Sequence, residues 1–371
     1  IRNLGLTDLT VDIEGGSEVG GLVGGCDGRI VDCHISGGMV TGYKVGGLAG
    51  VNRGTIERCH YSGTVMGPSY VGGLVGDNCA NTAVVRDCHS AGSVTAEYGG
   101  GGAIGRNLGE VFACYSAATV SGGQGIGGLI GHNDAEGLVM CCYATGSVRG
   151  DSRAIGGLVG ANDDTVVHSY SVGAVSGPAA YTGGLVGWIG YNNGRESLVM
   201  HGFWDVSTSG QVESNGGVGR TTAEMQDVKT YLEAGWDFVG ESENGTWEMW
   251  QASEGGGYPV QAALHGYTPP RLQGTGTAQD PYLICNASEL GAILHYPRDA
   301  YYRLVAPVDL MGIRWSLPVI PRFDGVFDGR GQALSRLTIS GMSHYLGLFG
   351  RLESGAVVRD LVLVDANVGR G

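Results

Sequence analysis

Several kinds of protein are excluded by what this sequence lacks. Its 10 prolines are few, and its 71 glycines follow no three-residue period, so the chain is not collagen-like. Only 22 residues are Lys or Arg against 36 Asp or Glu, and the resulting formal charge of −14 disfavours nucleic acid or an anionic membrane as a partner. No apolar run reaches the roughly 18 residues that a membrane-spanning helix needs. A hydrophobic content of 42% is too high for a disordered chain.

Catalytic and cofactor-binding motifs are also missing. The sequence has no P-loop, dinucleotide fingerprint, nucleophile elbow or EF-hand loop, and its many G-x-G matches follow from glycine abundance. We therefore expect no enzyme activity, no catalytic residue and no cofactor. The weak calcium candidates are Asp324 and Asp328 in FDGVFDGRG, although two carboxylates at a turn are more often solvated.

What the sequence has is an internal repeat. GGLVG or a close variant begins at seven glycines, spaced 26, 26, 29, 26, 29 and 27 residues apart: Gly20, Gly46, Gly72, Gly101, Gly127, Gly156 and Gly183. Self-similarity at such a period is typical of a solenoid or an array of small modules. No segment of the first 200 residues has a convincing helical periodicity.

Three further residue types recur in phase with the glycine motif. One cysteine per repeat forms the Cys column, one asparagine after the motif forms the Asn column, and one ring forms the aromatic column. Their members are Cys33, Cys59, Cys88, Cys114 and Cys142; Asn52, Asn78, Asn107, Asn133 and Asn162; and His34, His60, His89, Tyr115, Tyr143 and Tyr170. We interpret all three columns as architectural, because zinc sites need clustered ligands at short spacing.

These patterns predict an all-β fold, a parallel β-solenoid with coils of 26–29 residues. Stacking at about 4.8 Å, the distance between neighbouring strands, would place each residue over its counterpart in the next coil. Cysteine suits a dry interior, and asparagine tolerates the left-handed region and can form an amide ladder. We expect the glycines to allow positive φ at corners and close approach of the backbone. Buried reduced thiols and interchain disulfides are both compatible with the Cys column.

The recurring G-G-L-V-G followed by an asparagine-containing turn resembles the bacterial GLUG-motif repeat proteins over about residues 15–200. The resemblance implies a large secreted or cell-surface protein. Some relatives in that family are metalloendopeptidases, but that activity does not carry over, because none of the nine histidines lies in an H-E-x-x-H motif.

Three domains are expected. Residues 1–200 form the repeat solenoid, residues 201–267 an aromatic-rich cap with one helix over 221–236, and residues 268–371 a linker and the opening segment of a following solenoid. The cap is required because an open solenoid end exposes strand edges. A short helix is expected at 287–295, capped by Asn286 and ended before Pro297.

The two ends of the chain resemble each other. VRDLVLVDANV (358–368) aligns without gaps to IRNLGLTDLTV (1–11), with Arg, Leu, Asp and Val identical at positions 2, 6, 8 and 11. No signal peptide opens the chain, and we interpret it as a permuted window on a period of 358 − 1 = 357 residues. One cassette would then comprise an opening segment, the repeat array and a cap. The alternative is that any two solenoid coils resemble each other this much.

The leading hypothesis is a non-catalytic structural protein of the bacterial cell surface or extracellular matrix. Its cassettes would join end to end, in one long chain or as subunits, into a fibre, sheath or adhesin stalk. The alternative is a β-helix that binds or cleaves carbohydrate, with surface polysaccharide as its partner. A cluster of basic, acidic and aromatic residues along one strand face would favour that alternative, and the 22 basic residues look scattered. A passive spacer is a third interpretation.

Overall fold

The computed structural model describes residues 1–13, 15–192, 195–343 and 345–369. For residues 191, 192, 195 and 196 it describes the backbone only. It divides into two compact units, residues 1–227 and 228–371. Both consist mainly of short parallel strands stacked in register, so the predicted all-β parallel solenoid is confirmed.

Three parallel sheets build the first unit. Equivalent residues pair across coils, for example Ile30 with Ile56 and Val75 with Ile104. The first seven-stranded sheet carries the asparagines: Val23–Cys26, Ala49–Asn52, Val75–Asn78, Ile104–Asn107, Ile130–Asn133, Val159–Asn162 and Val186–Ile189. The second contains Arg29–Val31, Thr55–Glu57, Val84–Arg86, Glu110–Phe112, Leu138–Met140, Thr165–Val167 and Leu198–Met200.

The third sheet of the first unit is the longest, and its strands carry the aromatic column. They are Gly5–Thr7, Thr10–Asp12, Glu18–Gly20, His34–Thr41, Lys44–Gly46, His60–Gly72, His89–Gly101, Tyr115–Ser116, Thr119–Gly127, Tyr143–Ala144, Val148–Gly150, Ile155–Gly156, Tyr170–Ser171, Val175–Ser176, Thr182–Gly183, Phe203–Asp205 and Val218–Arg220. A 3-10 turn, Ala179–Tyr181, and an antiparallel hairpin, Tyr191–Asn192 with Arg195–Glu196, complete the connections.

The core of the first unit is a set of vertical columns of aliphatic side chains. The third residue of the glycine motif is fully buried in six of the seven motifs, at Leu48, Leu74, Ala103, Leu129, Leu158 and Leu185, and Leu22 of the first motif is partly buried. The aliphatic residue three positions before each cysteine, as at Ile56 and Val85, is buried as well. Every coil therefore contributes the same inward residues, and burial of these side chains is the main stabilising term.

The motif glycines are required by close backbone approach. A Cβ atom on Gly73 would lie 2.1 Å from the carbonyl oxygen of Gly102, and one on Gly47 would lie 2.2 Å from that of Gly73. None of the glycines in the seven GGLVG-type motifs has a positive φ. The expectation that these glycines serve left-handed corners is therefore wrong.

Left-handed corners do occur, one position before the Cys column, and they are built by other residue types. The residues with positive φ there are Asp32, Arg58, Asp87, Ala113, Cys141, His168 and His201. Such a conformation costs a non-glycine residue about 1 kcal/mol. In the first six of these corners, from Asp32 to His168, the backbone amide donates to a carbonyl oxygen of the next coil, as where Arg58 N donates to Arg86 O at 3.1 Å. The asparagines of the Asn column lie at strand ends without positive φ, so the left-handed role expected for them is also wrong.

The unit boundary falls inside the segment expected as a cap. Phe203–Asp205 and Val218–Arg220 add two more parallel pairings to the first unit, and Trp204 packs into its core. Two short helices accompany them, Val206–Ser209 and Thr222–Met225. The capping box of Thr221 and Glu224 is present, but the single helix expected over 221–236 is two, since Val228–Leu232 forms a separate helix.

The second unit combines an aromatic layer with a second solenoid. Trp236, Trp250 and Tyr231 are fully buried together, and Trp247 Nε1 donates to Val319 O at 3.0 Å. The solenoid of the second unit has four parallel sheets, which are separated here by semicolons: Tyr282–Ile284, Tyr301–Leu304, Val326–Asp328 and Val357–Arg359; Val308–Asp309, Ala333–Ser335 and Val362–Val364; Arg314–Trp315, Thr338–Ser340 and Asn367–Gly369; and Ile320–Phe323 with Phe349–Leu352. Trp250–Gln251 and Val260–Gln261 pair antiparallel, and 3-10 turns lie at Ala263–His265 and Ile293–His295.

The helix expected at 287–295 is an α-helix over Ala287–Ala292 that continues as the 3-10 turn to His295. Asn286 caps it, accepting a hydrogen bond from Glu289 N at 2.8 Å. The local capping signal was therefore sufficient to locate this element.

Replacing Gly73 by alanine should lower the free energy of unfolding by about 3 kcal/mol or more, because backbone atoms of the next coil would have to move. Urea unfolding followed by circular dichroism measures this. Gly28→Ala is the matched control, since nothing lies within 4 Å of a Cβ there, and it should change stability by less than about 1 kcal/mol. Equal effects of the two substitutions would contradict the close-approach explanation.

Candidate functional site

The Asn column forms a continuous hydrogen-bonded ladder. Each side-chain amide donates to the amide oxygen one coil further on, at 2.8 Å from Asn52 to Asn78 and 2.7 Å from Asn78 to Asn107. The next two steps, to Asn133 and Asn162, are both 2.8 Å. All five side chains are fully buried. An unpaired amide here would cost about 1–3 kcal/mol, so the ladder holds neighbouring coils in one register.

The Cys column is a second ladder, made of backbone amides and thiols. Cys33 N lies 3.3 Å from Cys59 Sγ, and Cys59 N lies 3.3 Å from Cys88 Sγ. Each thiol also donates to the carbonyl oxygen two residues before it, as from Cys88 Sγ to Arg86 O at 3.0 Å. After Cys142 the column continues with a serine, because Cys142 N donates to Ser169 Oγ.

All nine cysteines are free thiols in this structure. Burial raises the pKa of the Cys88, Cys114 and Cys142 thiols, so the reactive thiolate form is suppressed. Cys285 alone is exposed. Of the two redox states that the sequence left open, the geometry matches buried reduced thiols.

The aromatic column is a stack of parallel rings. Neighbouring ring centroids lie 4.8 to 5.1 Å apart from His34 to Tyr170, with interplanar angles between 1° and 7°. The column changes from histidine to tyrosine between His89 and Tyr115 without a break in spacing. It contributes stacking between coils.

One cluster was not anticipated, which we name the polar cluster: Lys44, Tyr70, Asp77, Tyr98, Arg106, His132 and Asp134. Asp77, Arg106 and His132 are direct neighbours in the first sheet, each one position before an asparagine of the Asn column. That position holds unlike residues in successive coils, so periodicity does not reveal it. The signal that could have found the cluster is the alignment of equivalent positions in successive coils, which brings these three residues together.

Charges in the polar cluster neutralise one another. Asp77 is only 1% exposed, and its Oδ2 lies 3.0 Å from Lys44 Nζ and 3.6 Å from Arg106. Arg106 Nε also lies 2.6 Å from Asp134 Oδ2. Both cations lie within 6 Å of the Tyr70 ring centre, a distance at which cation–π attraction operates.

His132 is the group in the polar cluster with acid–base capacity. Its ring lies 4.7 Å from that of Tyr98, and burial lowers its pKa, so the neutral imidazole is favoured. Its Nε2 has no hydrogen-bond partner, but a Cβ atom on Gly125 would lie 2.0 Å from it. The backbone at Gly125 therefore covers this nitrogen. This arrangement suits contacts between neighbouring coils better than it suits proton transfer to a substrate, because the free nitrogen of His132 is covered.

The two calcium candidates lie in the second unit and are engaged by arginines. Asp324 Oδ1 lies 3.2 Å from Arg298 Nε, and Asp328 Oδ2 lies 3.2 Å from an Arg359 guanidinium nitrogen. Asp328 Oδ1 also accepts a hydrogen bond from Arg330 N. Carboxylates paired in this way are poor ligands for a hard cation that needs six or more oxygens.

No group of three or more His, Cys, Asp or Glu side chains in the described part of the chain is arranged to hold a metal ion. Over the same residues, no helix is both long and apolar enough to cross a bilayer.

A shallow groove of about 910 Å³ crosses successive coils of the first unit. Its lining includes Tyr43, Met66, Pro68, Glu97 and Asp151, together with several glycines. Tyr43 and Met66 are large apolar groups left 50% and 40% exposed. The groove therefore has an exposed tyrosine ring and two carboxylates, Glu97 and Asp151, in its lining.

Comparison with protein-family models, curated proteins and solved structures gives no match for this chain.

Stability of the first unit should fall as pH drops from about 7.5 to 5. Burial lowers the pKa of His168 well below its usual range, so the folded chain keeps this ring neutral while the unfolded chain binds a proton below about pH 6.5. Each such histidine contributes up to about 1.4 kcal/mol of lost stability per pH unit. Burial also lowers the pKa of His201 and of His60.

The variant His168→Asn should flatten this pH dependence, measured by urea unfolding at a series of pH values. Asparagine tolerates the left-handed corner that His168 occupies, at φ 45°. His265→Asn replaces an exposed ring and serves as the control, with an unchanged slope expected. An unaltered slope in His168→Asn would show that His168 is not the linked group.

Proposed function

We propose that this chain is a non-catalytic structural protein, related to the GLUG-motif repeat proteins that its sequence resembles. It acts at the bacterial cell surface or in the extracellular matrix, where its cassettes join end to end into a fibre, sheath or stalk. One observation carries this proposal: residues 1–12 and 358–369 have their strands and left-handed corners at equivalent positions.

The equivalence of the two coils extends beyond the matching residues. Shifting by 357 residues converts strand Gly5–Thr7 into Val362–Val364 and strand Thr10–Asp12 into Asn367–Gly369. The same shift relates the left-handed corners, from Asn3 at 55° to Asp360 at 51° and from Asp8 at 50° to Asp365 at 51°. A coil that recurs after 357 residues is what an array of repeated cassettes would contain.

The internal chemistry supports the same conclusion. The Asn, Cys and aromatic columns use polar and reactive residue types for contacts between coils. In the polar cluster, the lysine and arginine are paired with buried or half-buried carboxylates. These features support a structural role, in which the coils are held together, over a catalytic one.

Electron microscopy of the native protein under mild, nonreducing conditions should show filaments with an axial repeat of one cassette. The physical reason is that open solenoid ends expose strand edges that pair readily. Reducing agent is the control, and it should leave the filaments intact because the cysteines of the Cys column are free. Monodisperse particles of monomer size, at all concentrations tested, would contradict the proposal.

A second function, carbohydrate binding or cleavage, is favoured by the groove and its exposed ring. Aromatic faces bordered by carboxylates suit sugar rings, which present apolar faces and hydroxyl groups. Tyr43 would supply the face, with Glu97 and Asp151 as hydrogen-bond acceptors.

Binding to immobilised bacterial surface polysaccharides, followed by calorimetry, tests this second function. Tyr43→Ala should weaken binding about tenfold or more, consistent with the loss of one stacked aromatic anchor. Tyr181 is 49% exposed, nearly as much as Tyr43 at 50%, and it lies outside the groove lining, so Tyr181→Ala is a matched control. Equal affinity of all three proteins would exclude the groove as the binding site.

A further inference from the structure

The groove of about 910 Å³ in the first unit is bordered by two rows of residues, to which successive coils contribute one member each. Strand pairing keeps the rows in register, as where Met66 pairs with Thr41 on one side and with Thr95 on the other. We call these three residues the inner row. The outer row lies two positions further along each strand and consists of Tyr43, Pro68, Glu97, Gly123 and Asp151. The groove therefore runs from coil to coil, along the direction of stacking.

Small residues between the two rows keep the groove open. They are Gly42, Gly67, Ala96 and Gly122, and all four belong to its lining. A Cβ atom on Gly67 would overlap the carbonyl oxygen of Gly42, and one on Gly122 would overlap that of Ala96. Because the neighbouring coil excludes a side chain at these glycines, no larger residue can take their place.

The outer row spans five successive coils, from Tyr43 to Asp151. Backbone hydrogen bonds hold both ends of the row against the neighbouring coils, from Ser69 N to Tyr43 O and from Asp151 N to Gly122 O. Four steps of one strand spacing give the row a length of about 19 Å. Tyr43, Glu97 and Asp151 occupy every second coil, so a ring and two carboxylates follow one another at intervals of about 10 Å. A long ligand with a repeating structure can meet all three side chains.

The side chains of the groove leave negative charge without a matching cation. Its carboxylates are Asp12, Glu97 and Asp151, and none of the described lining residues is Lys or Arg. Glu97 is exposed and has no ion pair within the part of the chain that the structure describes. Asp151 Oδ1 lies 3.9 Å from Arg149 Nε, but these side chains are 74% and 77% exposed, and such a pair contributes little. The groove therefore attracts a cationic ligand and repels an anionic one.

We propose that this groove binds an amine-bearing polysaccharide, a chain of β-1,4-linked glucosamine, which lies along the direction of stacking. The inference rests on the carbohydrate-binding function proposed above and names the class of its ligand. One sugar packs its apolar face on Tyr43, and ammonium groups further along the chain pair with Glu97 and Asp151.

A β-1,4-linked chain suits the arrangement of these side chains. Successive sugars in such a chain are turned over, so equivalent groups recur at every second sugar, as Glu97 and Asp151 recur at every second coil. The inner row adds the hydroxyl groups of Thr41 and Thr95, which can bond with sugar hydroxyls. A sugar chain thus uses the ring, the hydroxyls and the carboxylates together, whereas a simple polyamine would use the carboxylates alone.

Calorimetric titration of the intact protein with two sugar hexamers tests this ligand class. At about pH 6 the carboxylates are ionised and the sugar amines are largely protonated. The glucosamine hexamer should bind about tenfold more tightly than the N-acetylglucosamine hexamer, the combined effect of two exposed ion pairs. Acetylation removes the positive charge of each sugar and leaves the linkage unchanged. Added salt should reduce the preference, because exposed charges are screened.

The variant Glu97→Gln should weaken binding of the glucosamine hexamer about twofold to fivefold, the contribution of one exposed ion pair, and leave binding of the N-acetylated hexamer unchanged. Glu213→Gln is the matched control, since Glu213 is an exposed carboxylate of the same unit outside the groove lining. It should bind both hexamers as the unchanged protein does.

A lysine hexamer carries the same number of side-chain amines without the sugar rings. It should bind about threefold or more weakly than the glucosamine hexamer, because it lacks the apolar sugar face that packs on Tyr43. Equally tight binding of the lysine hexamer would show a general attraction of cations to this acidic protein and would overturn the proposed ligand class.

The remaining outcomes separate this inference from the function on which it rests. Equal affinity for the two sugar hexamers, with binding of both weakened by Tyr43→Ala, would overturn the amine-bearing ligand and leave the groove as a carbohydrate site. Equal losses in Glu97→Gln and Glu213→Gln would overturn the role of the groove carboxylates. Binding of neither hexamer would overturn this inference, and the carbohydrate-binding function would then depend on the surface polysaccharides tested above.

Discussion

The paired strand residues of the repeat array lie over their counterparts in the neighbouring coil, one strand spacing away. Backbone ladders impose this register, and a buried column that repeats one residue type must then contain side chains that can satisfy copies of themselves. Asparagine does so by donating and accepting at once, a thiol by accepting an amide and donating to a carbonyl, and a flat ring by stacking. The recurring residue types are therefore the ones that stack on their own kind.

Close packing of the coils has a cost at particular backbone positions. The second glycine of the first six motifs faces a carbonyl oxygen of the next coil, and that of the last motif, Gly184, faces the Trp204 ring, so a side chain does not fit there. The left-handed corners before the Cys column are built by residues as different as Asp32, Arg58 and Ala113. Their strain is small, and the hydrogen bonds that the corner amides from Asp32 to His168 donate to the next coil help to offset it.

The solenoid could be predicted because its signals repeat. Cys33, Asn52 and Gly72 belong to series that keep phase, and phase alone implies stacking. The corners and the polar cluster could not be predicted in the same way, because Asp77, Arg106 and His132 share a column without sharing a chemistry. Their role depends on neighbours about 26 to 29 residues away, which a local sequence window does not include. The helix expected over 221–236 failed because Gln226 and Asp227 interrupt it.

The Asn ladder also bears on how long such an array can be. Each step of the ladder, from Asn52 through Asn162, is the same donor meeting the same acceptor. Excision of one whole coil would bring together two coils whose facing side chains already suit each other, and duplication of a coil would do likewise. The packing of this array therefore does not fix the number of coils. Variants of the protein with more or fewer coils would keep the same kind of core.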